Sequence, residues 1–163
     1  MPPSDSPTLY GIIDTARDER LLPAIRALAP DARCLFDDPV DPALAEAAPW
    51  VVPMAPGDRF LAWWRQHGIG QAWGIAATAT ADMPTFRRHL KKCLRAQLPG
   101  GSVVYFRFYD PRVLRVFLPT ADAEQLRQIF GPIQTLFIES EDGPPVRSLR
   151  IGLDGTLTDT APA

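Results

Sequence analysis

Short apolar runs with the composition of β-strands alternate with amphipathic helical segments along most of this 163-residue chain. The apolar run at residues 8–14 (TLYGIID), for example, is followed by Leu21, Leu22, Ile25 and Leu28, which fall on one helical stripe. Strands that alternate with helices are typical of α/β domains built on a parallel sheet. We therefore predict one α/β domain with a central, mostly parallel sheet flanked by helices.

Further segments of both kinds follow along the chain. The strand-like runs are residues 32–36, 50–54, 71–79 and 102–109. Aspartates at helix-capping positions precede the next helical segments, and these are Asp41 (followed by Pro42), Asp58 and Asp82. Near the end, IQTLFIES and VRSLRIG are separated by the turn signal EDGPP, which predicts a C-terminal antiparallel strand pair. We place the domain at residues 1–152 and expect residues 153–163 to form a flexible tail.

Charge and cysteine content exclude several classes of protein. The formal net charge is -2 with acids and bases interspersed, which gives no electrostatic reason to expect nucleic acid or a membrane as partner. Cys34 and Cys93 lie far apart without a CxxC pattern, so neither a disulfide framework nor a zinc site is indicated. The amino terminus lacks a signal-like segment and no run is long enough to span a membrane. These features predict a cytoplasmic protein.

The segment VYFRFYDPR (residues 104–112) combines aromatic, acidic and basic side chains. Both faces of VVYFRFY are mostly apolar, which predicts a strand in the interior of the sheet and leaves Arg107 in need of a carboxylate partner. Asp14 ends the first predicted strand, as Asp110 ends this one. We therefore expect Asp14, Arg107, Asp110 and Arg112 to lie close together.

Asp110 and Pro111 repeat the pattern of a capping aspartate followed by proline at the first helical position. The simplest interpretation of DPR is therefore the start of a helix that Pro119 limits, rather than a catalytic site. On this interpretation, function lies in the surface around the motif.

Three segments resemble a known family when they are taken in order: YGIIDTARDERLLPAI, FRRHLKKCL and VYFRFYDPRVLRVFLP. Together they resemble the family called domain of unknown function 4123, which is associated with type VI secretion, over about residues 9 to 138. The family pattern falls here on a set of charged, aromatic and apolar positions. These are Asp14, His89, Leu90, Arg107, Tyr109, Asp110, Pro111, Arg112 and Leu114.

The resemblance implies a non-enzymatic adaptor, or effector chaperone, of a bacterial type VI secretion system. Such a protein holds a secreted effector (a toxin) or its N-terminal segment and loads it onto the VgrG spike in the cytoplasm. It implies no catalytic residue, metal or cofactor. Many family members continue into a variable C-terminal lobe, so a scaffold that lacks effector binding is a further possibility.

Signals for other functions are weaker. GxSxG, GxxxxGK[ST] and GxGxxG patterns are absent, and LDGTLTDT has Gly152 where the phosphatase signature it imitates needs a nucleophilic aspartate. His89 and Cys93 lie four residues apart on a helix, but two ligands do not make a metal site. The alternative to an adaptor is a small α/β enzyme or ligand-binding domain with its site at the carboxyl ends of the strands.

Two features of the predicted surface each allow two interpretations. The helix that follows Asp82 carries a basic face, which is either a solvated face or a surface for an acidic partner. Trp63 lies off the apolar stripe of its helix, so an exposed Trp63 would be a natural anchor in a partner's pocket.

Overall fold

The computed structural model describes residues 6–37 and 41–160. Its main feature is a seven-stranded sheet with the strand order β2-β3-β1-β4-β7-β8-β9, and β5 and β6 form a separate two-stranded sheet. The strands are β1 (Thr8–Asp14), β2 (Arg33–Cys34), β3 (Pro49–Met54), β4 (Gly74–Ala79), β5 (Arg95–Gln97), β6 (Val103–Tyr105), β7 (Ile133–Ser140), β8 (Gly143–Ile151) and β9 (Leu157–Thr160).

The prediction of a mostly parallel sheet is wrong. Each pair of neighbouring strands in the seven-stranded sheet is antiparallel. β1 lies between β3 and β4 and is antiparallel to both, with Ile12 opposite Val51 on one side and Ile75 on the other. The protein is therefore built on an antiparallel sheet covered by helices, and the predicted C-terminal antiparallel pair is present as β7 and β8.

The connection from β3 to β4 explains why the pattern was misleading. Because β3 and β4 are both antiparallel to β1, they run parallel to each other, and the chain between them forms a helix, as in a β-α-β crossover. The two strands are not neighbours, however, because β1 is inserted between them. A helix between two strands therefore indicated their relative direction but not their adjacency.

Six α-helices accompany the sheet in the described part of the chain. They are α1 (Leu21–Leu28), α2 (Pro42–Glu46), α3 (Arg59–His67), α4 (Met83–Cys93), α5 (Pro111–Phe117) and α6 (Ala123–Phe130). Asp41, Asp82 and Asp110 each accept a backbone N–H bond in the first turn of the next helix, as the sequence predicts. Asp58 stands at the N-cap of α3, but its side chain accepts the backbone N–H of Ala55 instead of one in the helix. Within residues 6–37 and 41–160, none of the helices has both the length and the apolar character that crossing a membrane requires.

The sheet separates two apolar cores. On one face, Ile13 and Val52 pack against α1 and α3 through side chains such as Phe60 and Trp64. On the other face, the strands pack against α4, α5 and α6, whose buried members include Phe86, Leu90, Leu114 and Phe130. Helix layers on both faces let this sheet bury both of its surfaces, as the mostly apolar strands suggested.

The segment 102–109 is not an interior strand. Only Val103–Tyr105 is extended, as β6, and all three side chains are exposed on a hairpin with β5. The chain then leaves the strand, and Phe108 and Tyr109 enter the core beside α5. The alternating residues therefore belong first to a short hairpin and then to a buried loop. A period-two pattern does not distinguish these two structures from one long strand.

The expected flexible tail also differs from the structure. Residues Leu157–Thr160 form β9, which pairs with β8 at the edge of the sheet. Asp154 accepts hydrogen bonds from the backbone N–H and the hydroxyl of Thr156, which stabilises the turn before β9. Residues 161–163 of the expected tail lie outside the described residues.

Gly74 permits the close approach of β1 and β4. A Cβ atom at this position would lie 2.1 Å from the backbone carbonyl oxygen of Ile12, which belongs to the neighbouring strand and has no room to move. We expect Gly74→Ala to lower the free energy of unfolding by about 1–3 kcal/mol or more, measured by urea denaturation.

Gly100→Ala is the matched control for Gly74→Ala. Apart from Gly100 and its two neighbours in sequence, no atom of the described residues lies within 4 Å of a Cβ built at Gly100, in the turn between β5 and β6. This variant should be within about 1 kcal/mol of wild type. Equal stability of the two variants would contradict the tight contact between β1 and β4.

Candidate functional site

Two buried aspartates begin two short helices at one end of the sheet. Asp14 ends β1 and caps a 3₁₀ helix at Thr15–Arg17, where its Oδ1 accepts the backbone N–H of Ala16 at 3.1 Å. Asp110 caps α5 in the same way, accepting the backbone N–H of Arg112 at 2.9 Å. Asp14 is 2% exposed and Asp110 is 3% exposed. Buried carboxylates of this kind need cationic partners to remain ionised.

Two arginines supply those partners. Arg107 Nη2 donates to Asp14 Oδ2 at 2.6 Å and also lies 3.7 Å from Asp110 Oδ2. Arg112 forms a bidentate pair with Asp110, with Nε–Oδ1 and Nη2–Oδ2 distances of 3.0 and 2.7 Å. The four side chains expected to meet therefore form one chain of alternating charges, Asp14–Arg107–Asp110–Arg112. We call these four residues the charge cluster.

The charge cluster is buried on its acidic side and open on its basic side. The carboxylate side chains are 3% exposed, whereas Arg107 and Arg112 are 44% and 47% exposed. Burial alone would raise the pKa of Asp110, but hydrogen bonds from the side chain and backbone of Arg112 outweigh it and hold the pKa below its usual value. Asp110 is therefore ionised at neutral pH.

Two tyrosines adjoin the charge cluster. Tyr109 is buried, its hydroxyl lies 3.2 Å from that of Tyr105, and the Arg107 guanidinium carbon is 6.0 Å from the centre of its ring. Burial is the main cause that raises the pKa of both tyrosines above the usual value. Both phenols are thus protonated hydrogen-bonding groups at neutral pH, and neither is a nucleophile.

The other predicted site residues lie elsewhere. Leu114 on α5 and Leu90 on α4 are both fully buried core residues. His89 Nε2 is 2.8 Å from the Ile129 carbonyl oxygen and 3.6 Å from Cys93 Sγ. His89 therefore links α4 to the end of α6, and the structure does not bring it to the charge cluster.

The histidine and cysteine on α4 have the properties of core groups. Burial lowers the pKa of His89 and raises that of Cys93 to about 12, so both are uncharged at neutral pH. Within residues 6–37 and 41–160, no three His, Cys, Asp or Glu side chains form a group that could hold a metal ion. Trp63, which we considered as an exposed anchor, is only partly exposed and stacks on Trp73 with 5.4 Å between ring centres.

Sequence reasoning missed Tyr105. This residue is 51% exposed on β6, and its hydrogen bond connects the buried Tyr109 to the surface. The sequence pattern predicted instead that its segment is an interior strand. The signal that could have placed it is the pair Gly100 and Gly101, since a turn there implies a hairpin and an exposed strand edge.

Comparison with protein families gives one match. A family model described as "Domain of unknown function (DUF4123)" matches residues 9–128. The chain belongs to this family. The matched range includes the whole charge cluster of this DUF4123 domain, together with His89, Leu90, Tyr109 and Leu114. Comparisons with curated proteins and with solved structures found no match.

Removal of Arg107 should destabilise the DUF4123 domain. Arg107→Ala removes the hydrogen bond from Arg107 to the buried Asp14 carboxylate and keeps the bond from the backbone N–H of Ala16. Because Arg107 is itself partly exposed, water replaces it in part, and we expect the free energy of unfolding to fall by about 1–3 kcal/mol. Denaturation at neutral pH measures this change.

The control for Arg107→Ala is Arg20→Ala, because Arg20 also donates to an aspartate, Asp18, but that pair lies at the surface. We expect it to cost at most about 1 kcal/mol. If both variants lose the same stability, the burial of Asp14 does not make its ion pair important.

Asp110→Asn separates the ion pair from the helix cap, because asparagine still caps a helix. The pKa of Asp110 is depressed in the folded protein, so its charge stabilises the fold above the unfolded-state value of about 3.9 and stops doing so as pH falls through the folded pKa. The variant should be less stable than wild type by about 1 kcal/mol at pH 7, and the difference should vanish in acid. A difference that stays constant with pH would contradict the ion pair.

Proposed function

We propose that this DUF4123 domain is a non-enzymatic adaptor, or chaperone, of a bacterial type VI secretion system. It binds a secreted effector or its N-terminal segment in the cytoplasm and loads it onto the VgrG spike. The process is stoichiometric binding and handover, and it uses no cofactor. Membership of the family supports this proposal, and so do the ion pairs that the residues of the charge cluster form with each other.

The main support for this proposal is that the charged groups of the charge cluster pair with each other inside the fold. Arg107 and Arg112 neutralise Asp14 and Asp110 within the fold. Among the grooves on the described part of the chain, five have linings that include none of the four charge-cluster residues. Acidic and basic groups that form ion pairs with each other have a structural role, whereas catalytic groups face a cleft where a substrate binds.

The surface around the charge cluster has the composition of a protein interface. Arg107 and Arg112 are 44% and 47% exposed and Tyr105 is 51% exposed, and arginine and tyrosine are enriched among the anchors of interfaces. Val116 is 74% exposed on α5 and lies four residues after Arg112, on the same side of the helix. A stable interface of this kind buries about 1,200–2,000 Å² in total.

The alternative of a small enzyme or ligand-binding domain has less support. It placed the site at the carboxyl ends of parallel strands, where open α/β sheets bind ligands. In the antiparallel sheet observed, neighbouring strands run in opposite directions, so their carboxyl ends do not meet at one edge.

Co-expression with the VgrG spike and the product of the adjacent gene tests the adaptor function. We expect a tagged DUF4123 domain to retain both proteins and to co-elute with them in size-exclusion chromatography. A folded wild-type domain that binds neither protein would overturn the proposal.

Val116→Asp tests the surface around the charge cluster. Its side chain is largely solvated, so the change should leave the melting temperature nearly unchanged while it weakens retention of one partner about ten-fold or more. Leu153→Asp is the control, because Leu153 is a fully exposed apolar residue between β8 and β9. Equal retention by both variants would exclude the surface near α5 from the interface.

A further inference from the structure

A wide groove lies between α4 and the β5–β6 hairpin, outside the charge cluster. Its volume is about 990 Å³. Residues 35–37, which follow β2, form one side, α4 forms another, and Arg95 and Tyr105 of the hairpin close one end. We call this space the α4 groove.

The α4 groove concentrates positive charge in a chain whose net charge is -2. Both lysines of the sequence and three arginines lie within nine positions, and all five line the groove: Arg87, Arg88, Lys91, Lys92 and Arg95. Asp37 is the acidic residue of the groove lining, and it forms an ion pair with Lys91. In the part of the chain that the structure describes, Arg88, Lys92 and Arg95 form no ion pair.

One wall of the groove is held in place by hydrogen bonds within the protein. Arg87 reaches across from α4 and donates to the carbonyl oxygens of Cys34 and Phe36, both at 2.7 Å. These bonds fix residues 34–36 against the helix. A ligand that enters the groove therefore does not have to order this wall, which reduces the entropy lost on binding.

The hairpin adds apolar surface at the end of the groove. Val103 and Tyr105 on β6 are 62% and 51% exposed, and Leu98, just after β5, is 45% exposed. A two-stranded hairpin is marginally stable alone, and exposed apolar edge strands usually pair with a partner or carry charges that prevent pairing. β6 has no charged residue and no second neighbouring strand among residues 6–37 and 41–160.

We propose that the α4 groove binds an extended, acidic segment of a partner protein, with apolar side chains interleaved among its carboxylates. The carboxylates pair with Arg88, Lys92 and Arg95, while an apolar side chain packs on Tyr105 at the end of the groove. This inference deepens the adaptor function and rests on it, because it specifies the chemistry of one of the two partners.

A peptide fits these features better than a nucleic acid does. Four of the cations lie between Arg87 and Lys92 of α4, a rise of about 8 Å along the helix, and the fifth, Arg95, begins β5. Two of the lining residues, Phe36 and Tyr105, are aromatic, and Leu35 and Leu94 are buried, so the groove offers apolar contact but not the row of rings on which successive bases stack.

Fluorescence anisotropy tests the proposal with a labelled peptide in which Asp and Glu alternate with Leu and Phe. We expect the folded domain to bind this peptide, and to bind at least about ten-fold less tightly a peptide in which Asn and Gln replace the acids. Arg88→Glu, Lys92→Glu and Arg95→Glu combined should also weaken binding of the acidic peptide about ten-fold or more.

The matched control reverses three exposed arginines on the opposite face of the sheet, Arg26, Arg59 and Arg65 of α1 and α3. It changes the net charge equally and should leave the affinity nearly unchanged, since these sites are remote from the groove. Equal weakening by both triple variants, or no detectable binding by wild type, would overturn the proposal. Tighter binding of single-stranded DNA than of the acidic peptide would also overturn it.

The co-expression experiment distinguishes failure of this inference from failure of the adaptor function. If the groove variant still retains both the spike and the effector, the adaptor function stands and the groove inference is wrong. If the wild-type domain retains neither protein but binds the acidic peptide through the groove, the adaptor function fails while the groove remains a peptide site.

Discussion

The ion pair between Asp14 and Arg107 joins β1, an interior strand of the sheet, to the helical layer on one of its faces. The two residues are 93 positions apart in sequence, and the contact links the end of β1 to the segment that leads into α5. Because Asp14 is buried, its charge requires this partner wherever the two segments meet. An apolar contact at the same place would tolerate small shifts between the strand and the helix, whereas a 2.6 Å hydrogen bond fixes one arrangement.

Asp110 extends this constraint to α5. Its carboxylate caps the helix, pairs with Arg112 and lies beside Arg107, so the start of α5 is tied to the same position as the end of β1. Further along the helix, Arg115 donates to the carbonyl oxygen of Glu139 at 2.7 Å, which connects α5 to β7. α5 is thus held at both ends by polar contacts while Leu114 fills the core between them.

The local parts of the structure followed from the sequence. Aspartate before proline predicted the starts of α2 and α5, because capping and the fixed proline angle act within one turn of chain. The contact between Asp14 and Arg107 was also expected, because a charged residue in an apolar segment needs a carboxylate partner. The premise that residues 102–109 form an interior strand whose end neighbours that of β1 was wrong, since β6 lies in a separate sheet.

Strand order itself did not follow, because the residues that decide it are not distinctive. β1 is inserted between β3 and β4, and Gly74 permits the close approach of β1 and β4. A single glycine in an apolar run does not by itself predict this strand order. The segment 103–109 failed for a related reason. Val103 and Val104 are exposed while Phe108 is buried, although all three fit the same alternating pattern. In each case tertiary contacts, rather than local pattern, assign the role.

Tyr105 connects the two surfaces to which we assign binding. Its side chain lines the α4 groove, and its hydroxyl meets that of Tyr109, which lies beside Arg107 of the charge cluster. A segment that packs on Tyr105 from the groove therefore contacts a residue that is hydrogen-bonded to Tyr109, whose ring centre lies 6.0 Å from the Arg107 guanidinium carbon. Such continuity gives a physical reason why the aromatic and charged residues of this segment occur together. The charges fix the segment that follows β6, and Tyr105 at the end of β6 lies at the boundary between the two surfaces to which we assign binding.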